Sequence, residues 1–68
     1  MIEIHLDKYL KKRQMTLTQL SEAVDITIAN LSILKSGKAK AIRFSTLEKI
    51  CEVLECQLGD LISYVPED

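Results

Sequence analysis

The sequence predicts an all-α (mainly α-helical) domain with a short β-strand at each end, and three observations support this fold class. Apolar side chains recur at helical spacing through the middle of the 68-residue chain. Thr16 and Ser45 are each followed three residues later by Gln or Glu, which is the capping-box pattern of a helix start. Hydrophobic residues make up 47 % of the chain, enough for one packed core. We expect a single domain over residues 1–68, with a helical core at 6–62.

The two ends of the chain have strand-like sequences. Residues 1–5 alternate apolar and polar side chains, and residues 62–66 are rich in β-branched and aromatic side chains. Because isolated short strands are unstable, we expect them to pair with each other, and an extension across a dimer axis stays open. The first helix is predicted at about residues 6–13. Its inner stripe consists of Leu6, Tyr9 and Leu10.

Two short helices joined by a tight turn occupy the middle of the chain. Thr16 is the expected N-cap of the second helix. The apolar face of that helix is formed by Leu17, Leu20, Ala23 and Val24. After the turn, Thr27 is the expected N-cap of a third helix at 28–35, and Gly37 is its left-handed C-terminal residue. A helix-turn-helix of this kind presents its second helix to a partner, usually the major groove of DNA.

The third predicted helix carries apolar side chains on two sides. At about 100° per residue, Leu31 and Leu34 point toward the core. The opposite, exposed arc contains Ile28, Ala29, Ser32, Ile33 and Ser36. Because exposed isoleucines are unusual, we expect Ile28 and Ile33 to contact either thymine methyl groups or another protein.

A basic segment and two further helices follow. Residues 38–43 form the basic segment, and a fourth helix is predicted at about 45–54, capped by Ser45 and Glu48. The buried side of this helix contains Leu47, Ile50, Cys51 and Leu54. Residues 57–61 are predicted as a last helical turn. The side chains expected to close the core there are Leu58, Leu61 and Ile62.

Charge is distributed unevenly along the chain, although the net charge is only −1. Residues 1–43 carry eight Lys or Arg and four Asp or Glu, whereas residues 44–68 carry one Lys and six Asp or Glu. One half of the domain is therefore suited to face phosphate groups while the other faces away, and the alternative is that the asymmetry is ordinary solvated surface. Aromatic residues make up only 4 %, which argues against a stacking platform for single-stranded RNA.

Few residues are suited to catalysis or metal binding. Cys51, Cys56 and His5 lack the spacing of a zinc site. We expect Cys51 in the core, Cys56 as an ordinary thiol and His5 as a surface strand residue, with a redox switch as the alternative for the cysteines. No Ser/His/Asp set, phosphate-binding glycine loop or two-carboxylate cleft is evident, so we expect neither an enzyme nor a cofactor. No apolar stretch is long enough to cross a bilayer and no signal peptide opens the chain, so the expected location is the cytoplasm.

Several spaced motifs together resemble those of the lambda-repressor-like Cro/XRE helix-turn-helix regulators. The motifs lie at residues 16–37, 45–50 and 58–61. The likeness as a whole covers about residues 6–62. The flanking strands make the chain similar to the compact single-domain subgroup. The resemblance implies a five-helix fold, double-stranded DNA as the partner, and a homodimer that regulates transcription, most simply as a repressor that occupies a promoter.

The resemblance also implies which residues meet DNA. The positions that read bases or enter the groove are Thr27, Ile28, Ala29, Asn30, Ser32 and Ile33. The positions that meet phosphates are Thr16, Thr18, Gln19, Ser36, Lys38, Lys40 and Arg43. At the start of the second helix, free backbone amides and the helix dipole favour an anion.

Four departures from the family pattern affect these expectations. Asp25 stands at a turn position where Gly is common, and it puts a negative charge near the groove. Long polar base readers such as Gln or Arg are absent from Ile28, Ala29 and Ile33. Only Asn30 and Ser32 therefore offer side-chain hydrogen bonds to bases.

Leu17 stands where many members place a phosphate-binding Gln, so Thr18 or Gln19 has to act instead. Leu10 and Lys35 stand where many members pair an Arg on the first helix with a Glu at the end of the third. This predicts that the ion pair between those helices is missing.

A protein-interaction module on the same fold, such as the antitoxin of a toxin–antitoxin pair, is the alternative function. The exposed Ile28 and Ile33 and the acidic carboxy-terminal half favour this alternative. An antitoxin can also bind DNA, so the two functions overlap.

Overall fold

Five helices and a two-stranded sheet account for most of residues 1–67, which are the residues that the computed structural model describes. In chain order they are β1 (Ile2–Ile4), α1 (Leu6–Lys12), α2 (Leu17–Val24), α3 (Ile28–Lys35), α4 (Phe44–Leu54), α5 (Leu58–Leu61) and β2 (Ile62–Tyr64). The predicted fold class, a mainly helical domain with five helices and terminal strands, is confirmed. No helix within residues 1–67 is long and apolar enough to cross a membrane.

The core consists of aliphatic side chains contributed by all five helices. It contains Leu6, Leu10, Leu20, Val24, Leu31, Leu34, Leu47, Ile50, Leu54 and Leu61. Helix α2 packs against both α3 and α4, so it is the central support of the domain. The one buried polar side chain among the described residues is Ser21, whose hydroxyl donates a hydrogen bond to the Thr18 carbonyl oxygen at 2.7 Å. This bond removes the cost of burying an unpaired hydroxyl.

The two terminal strands pair with each other, as predicted, in an antiparallel register that places Glu3 opposite Ser63. Both strands are shorter than the predicted ranges 1–5 and 62–66, since β1 covers Ile2–Ile4 and β2 covers Ile62–Tyr64. The expectation that His5 is a surface strand residue is wrong. His5 is the half-buried N-cap of α1, and its Nε2 shares a 2.8 Å hydrogen bond with the Ser63 hydroxyl.

Capping hydrogen bonds fix the boundaries of the helix-turn-helix. The Gln19 amide donates to Thr16 Oγ1 at 3.1 Å, and the Thr16 amide donates to Gln19 Oε1 at 2.9 Å, which confirms the predicted capping box. Thr27 caps α3 by accepting a hydrogen bond from the Asn30 amide at 3.1 Å. Helix α2 ends at Asp25, whose φ of 57° lies in the left-handed region that Asp tolerates better than most residues.

Helix α4 begins earlier than predicted, at Phe44, and Ser45 is not its N-cap. Arg43 occupies the N-cap position without a capping side chain. The first turn closes through the backbone, because the Thr46 and Leu47 amides both donate to the Arg43 carbonyl oxygen at 3.1 Å. The capping box predicted at the start of α4 is therefore wrong.

Two side chains that were expected on inner faces are exposed. Ala23 on α2 is exposed, and Leu58 is 47 % exposed. Helix α5 has only one turn, and Leu61 fills its inward position while Leu58 lies at the outer start of that turn. The Gln57 amide holds this start by donating to Asp60 Oδ2 at 3.0 Å.

Two ion pairs position α1 against the rest of the domain. The Lys35 ammonium at the end of α3 lies 3.3 Å from Asp7 Oδ1 on α1. The family's Arg–Glu pair is missing, as predicted, since Leu10 and Lys35 occupy its positions. A different ion pair of reversed charge joins the two helices instead, from Lys35 to the acid one turn before Leu10. The Arg13 guanidinium donates from Nε to the Leu54 carbonyl oxygen at 2.8 Å and lies 3.3 Å from the Glu55 carboxylate.

Candidate nucleic-acid interface

Helix α3 is held by one side and leaves the other side open. Leu31 and Leu34 are 1 % and 8 % exposed and anchor the helix in the core. All six residues expected to read bases are exposed, namely Thr27, Ile28, Ala29, Asn30, Ser32 and Ile33. Because a buried stripe fixes the helix, the open side has a defined orientation toward any partner.

The open side of α3 combines apolar and polar groups. Ile28 and Ile33 are 46 % and 47 % exposed, and isoleucines of this kind contact thymine methyl groups when a helix enters the major groove. Within residues 1–67, the side chains of Asn30 and Ser32 have no hydrogen-bond partner, since only the backbone amide of Asn30 is used in the helix cap. Both side chains are therefore available to donate to and accept from base edges.

A groove of about 800 Å³ joins the open side of α3 to the basic segment that follows it. Asn30 and Ile33 line one part of the groove, and Lys38, Lys40 and Arg43 line the other. The structure thus brings together two of the six residues that the sequence assigned to bases and three of the seven that it assigned to phosphates. The remaining residues expected to read bases are exposed on α3 outside this groove.

The basic segment is anchored at its start and carries available charges. The Gly37 amide donates to the Leu34 carbonyl oxygen at 3.0 Å, and the Lys38 amide donates to the Ile33 carbonyl oxygen at 3.2 Å. Gly37 has the positive φ of 78° that this ending of a helix requires. In the part of the chain that the structure describes, no carboxylate lies within ion-pair distance of Lys38, Lys40 or Arg43.

The start of α2 presents a second set of hydrogen-bond donors, at the residues that the sequence assigned to phosphates. Thr16 Oγ1 accepts a hydrogen bond in the helix cap and keeps its own hydroxyl proton for an external acceptor. Gln19 uses its carbonyl oxygen in the capping box and keeps both protons of its amide nitrogen. Thr18 is exposed beside them. These donors stand with the unpaired backbone amides of the first turn, so the site suits an anion.

Ser36 differs from the other residues expected to meet phosphates. Its hydroxyl donates to the Ile33 carbonyl oxygen at 2.8 Å, so its proton is already used within the helix. A contact from Ser36 to phosphate requires that the side chain rotate away from this bond. Its role stays a prediction.

The sequence interpretation missed Thr46, which lines the groove, whereas it already placed the negative charge of Asp25 near the DNA-facing surface. Thr46 is half-buried there, and Asp25 adds a carboxylate at the opposite side. Because the sequence predicts that α4 begins at Ser45 and not at Phe44, it does not place Thr46 in the groove. The Asp25 carboxylate adds one negative charge to a lining that also contains Lys38, Lys40 and Arg43.

Among residues 1–67, the two groups with shifted pKa values, Tyr9 and Cys56, lie outside this interface. Burial raises the pKa of the Cys56 thiol above its ordinary value, and the neighbouring Cys51 raises it further. Burial, followed by the nearby Asp60 carboxylate, raises the pKa of Tyr9. Both side chains are neutral near pH 7, so their titration does not change the charge of the interface there. Within residues 1–67, no three His, Cys, Asp or Glu side chains are grouped as metal ligands.

Comparison with known proteins shows the kind of domain to which this fold corresponds. The profile of the Cro/C1-type HTH DNA-binding domain matches residues 5–67. The chain is 65 % identical over 63 residues to YozG, an uncharacterized HTH-type transcriptional regulator of Bacillus subtilis, covering 93 % of this chain and 75 % of YozG. It also resembles the crystal structure of the transcriptional regulator VanUg, with a TM-score of 0.76 and 33 % identity, over 97 % of this chain and 87 % of that one.

Proposed function

Because the chain belongs to the Cro/C1-type helix-turn-helix family of DNA-binding transcriptional regulators, which are not enzymes, we propose that it binds specific sites in double-stranded DNA as a homodimer and represses transcription. One observation carries the proposal. The groove that contains Asn30 and Ile33 also contains Lys38, Lys40 and Arg43, so a single surface combines base-reading and phosphate-binding groups. Repression follows from occupancy of a promoter and needs no further activity.

In the proposed complex, α3 enters the major groove with its open side toward the base edges. Asn30 and Ser32 supply hydrogen bonds, and Ile28 and Ile33 supply apolar contacts to thymine methyl groups. Ala29 allows the helix backbone to approach the bases closely because its side chain is small. Thr27 lies at the start of α3, where its hydroxyl proton is free to reach a base or a phosphate.

Phosphate contacts fix the depth and orientation of α3. The basic segment meets the backbone on one side of the groove, and the start of α2 meets it on the other, through Thr16, Thr18 and Gln19. These two sets of donors lie on opposite sides of α3 and fix its position along the duplex, but they do not distinguish one DNA sequence from another. The acidic residues that dominate 44–68 then face away from the duplex.

A homodimer is required because one short helix reads few bases. Eight residues of α3 offer only two side chains with free hydrogen-bonding groups, which is too little to select one site in a genome. Two copies related by a twofold axis read two half-sites about 34 Å apart, so the dimer reads twice as many base pairs as one copy.

Selection of bound duplexes from a random-sequence pool tests this function directly. We expect an inverted repeat whose half-site centres are separated by about one DNA turn. The affinity for the selected duplex is then measured between about 50 and 300 mM KCl. For about six phosphates met per dimer, the slope of log K against log[salt] is about −5. Recovery of no common sequence, or a slope near zero, contradicts the proposal.

A protein partner for α3 is a second candidate function, favoured by the exposure of Ile28 and Ile33. The variant Ile28→Asp distinguishes the two. If α3 docks on a protein, this change abolishes capture of that protein while DNA binding that depends on Lys38 and Lys40 persists. If α3 reads DNA, Ile28→Asp weakens binding to the selected duplex, because it places a carboxylate in the major groove.

A further inference from the structure

The only two cysteines of the chain lie together at the end of α4. Cys51 belongs to the last turn of α4, and Cys56 is the second residue after the helix ends at Leu54. Both side chains are half-buried, and both line a groove of about 470 Å³ between α4 and α5, which we call the α4–α5 groove. It shares no lining residue with the groove that contains the basic segment, so the thiols lie apart from the surface proposed to bind DNA.

The backbone brings the two cysteines within reach of each other. Glu55 ends α4 with a left-handed φ of 52°, and the chain then folds back so that the Cys56 amide donates to the Cys51 carbonyl oxygen at 3.1 Å. This hydrogen bond is the one that closes a Schellman motif, in which side chains at these two positions commonly touch. Standard bond lengths then hold the two Cα atoms within about 7 Å of each other, which is the longest separation that a disulfide spans.

The side chains of the two cysteines meet the second requirement of a disulfide, which is that they point to the same side of the backbone. Both line the α4–α5 groove, so neither has to turn through the helix to reach the other. The two thiols also interact directly. Burial is the main cause of the raised pKa of Cys56, and the charge of Cys51 and a hydrogen bond from it raise that pKa further.

Helix α1 holds the turn that carries the two cysteines, so forming a bond between them does not have to order this turn. Arg13 donates from Nε to the Leu54 carbonyl oxygen at 2.8 Å and from Nη2 to the Glu55 carbonyl oxygen at 3.2 Å. The Arg13 guanidinium also lowers the pKa of Cys56, against the larger effect of burial. A nearby cation of this kind favours the thiolate, which is the form of cysteine that exchanges with disulfides.

We propose that Cys51 and Cys56 are a redox-active dithiol, which low-molecular-weight disulfides oxidise to an intrachain disulfide. The thiolate of one cysteine attacks a sulfur atom of the small disulfide, forms a mixed disulfide and releases one small thiolate. The thiolate of the other cysteine then attacks the protein sulfur of the mixed disulfide, which closes the bond between Cys51 and Cys56 and releases the second small thiolate. The protons of the two cysteines pass through solvent to the released thiolates, so one disulfide is reduced to two thiols.

Oxidation stabilises the domain, because the disulfide ties the end of α4 to the segment that leads into α5. The bond closes a loop of residues 51–56 that the folded backbone already closes, so its main effect is to restrict the unfolded chain. The α4–α5 groove gives a small disulfide access to both sulfur atoms. This inference does not rest on the proposed DNA-binding function.

The first test identifies the products of oxidation by glutathione disulfide. The folded protein is equilibrated with mixtures of reduced and oxidised glutathione at fixed pH and quenched with acid. The remaining thiols are then alkylated before mass spectrometry. We expect single chains that are lighter by two hydrogen atoms and carry no alkyl group, at least about ten-fold more abundant than the mixed disulfide with glutathione.

Cys51→Ser and Cys56→Ser are the matched controls for this test. Each variant keeps one thiol and cannot close the intrachain bond. Each therefore accumulates the mixed disulfide, or a disulfide between two chains, at the glutathione ratio that oxidises the wild type. Circular dichroism verifies that both variants are folded.

The second test separates the effect of the fold from closeness in the sequence, and it uses the wild type alone. The same equilibrium is measured in urea, where the chain is unfolded. If the fold holds the sulfur atoms in position, the ratio of disulfide to dithiol is about 30-fold higher in the folded protein, as expected for a loop of this length. By linkage, the oxidised domain melts about 10 °C above the reduced domain.

Two results overturn the proposal. One is a wild type that accumulates mixed disulfides with glutathione and no intrachain bond. The other is a ratio of disulfide to dithiol that is equal or lower in the folded protein than in urea, because the folded backbone then keeps the sulfur atoms apart. DNA binding is measured separately, with the selected duplex in reducing buffer, so neither result bears on the DNA-binding function.

Discussion

Helices α2 and α3 have the same length and the same kind of cap, yet they distribute their apolar residues differently. Each has eight residues and begins after a threonine that accepts a backbone hydrogen bond. On α2, the fully buried Leu20 and Val24 lie on one side. On α3, Leu31 and Leu34 are buried while two isoleucines remain exposed on the opposite side. Helix α2 therefore buries its apolar residues on one side, as a helix that supports the core does. Helix α3 has a second, exposed apolar side that packing within the chain does not explain.

The largest expected effect is the loss of stability when a buried side chain of α2 or α3 is truncated, compared with truncation on the exposed side of α3. Leu20→Ala on α2 and Leu31→Ala on α3 each remove a side chain that is at most 1 % exposed, and each lowers the free energy of unfolding by about 2–5 kcal/mol. Ile33→Ala on the open side of α3 lowers it by less than about 1 kcal/mol, because Ile33 is 47 % exposed. Urea unfolding followed by circular dichroism measures all three. A decrease at Ile33 as large as that at Leu31 means that α3 has no free apolar face.

The next largest effect concerns the preference of the protein for one DNA sequence over another. Asn30→Ala and Ser32→Ala remove the free hydrogen-bonding groups of α3, so each lowers the preference for the selected duplex over a scrambled one by about 1–3 kcal/mol. The matched change on α2 is Glu22→Gln at an exposed position of the support helix, and it leaves that preference unchanged. Competition binding with both duplexes at one salt concentration gives the comparison. Equal effects on both helices contradict the assignment of α3 as the reading helix.

A smaller and non-selective effect is expected in the basic segment. Lys38→Ala and Arg43→Ala weaken binding to all duplexes alike, and each reduces the magnitude of the salt slope by about 1 for every phosphate that is no longer neutralised. Lys11→Ala on α1 is the control, since Lys11 is exposed on another helix. If Lys38→Ala changes the ranking of sequences and leaves the salt slope unaltered, the basic segment reads bases and the docking proposed here is wrong.

Local chemistry explains which parts of the fold the sequence predicts well. The Thr16 capping box, the limits of α3 at 28–35 and the positive φ of Gly37 each depend on residues within a few positions of one another. A hydroxyl that caps a free amide and a glycine that adopts a left-handed conformation act in the same way in most contexts. The exposed side of α3 was predictable for the same reason, since helical spacing alone separates it from Leu31 and Leu34.

The features that the sequence did not predict depend on contacts between distant parts of the chain. His5 is fixed by Ser63, which lies 58 residues away. The start of α4 at Phe44 and the outward position of Leu58 depend on how α4 and α5 pack, and α4 begins without a capping side chain. The groove that joins α3 to Thr46 likewise appears only when α4 is placed. Residue types indicate which side chains can bind DNA, and tertiary packing decides which of them lie together.

The smallest expected effect concerns the ion pair that joins Asp7 on α1 to Lys35 at the end of α3. Asp7→Asn removes the carboxylate that lies 3.3 Å from Lys35, and both side chains are substantially exposed, so the free energy of unfolding falls by less than about 1 kcal/mol. Lys35 then becomes a free cation at the end of α3, the helix proposed to read bases, and lies close in sequence to the basic segment. If the ion pair serves only to hold α1 against α3, DNA affinity is unchanged. If it also restrains a positive charge near the duplex, Asp7→Asn raises affinity for all duplexes alike and steepens the salt slope, and Asp7→Glu restores the wild-type values.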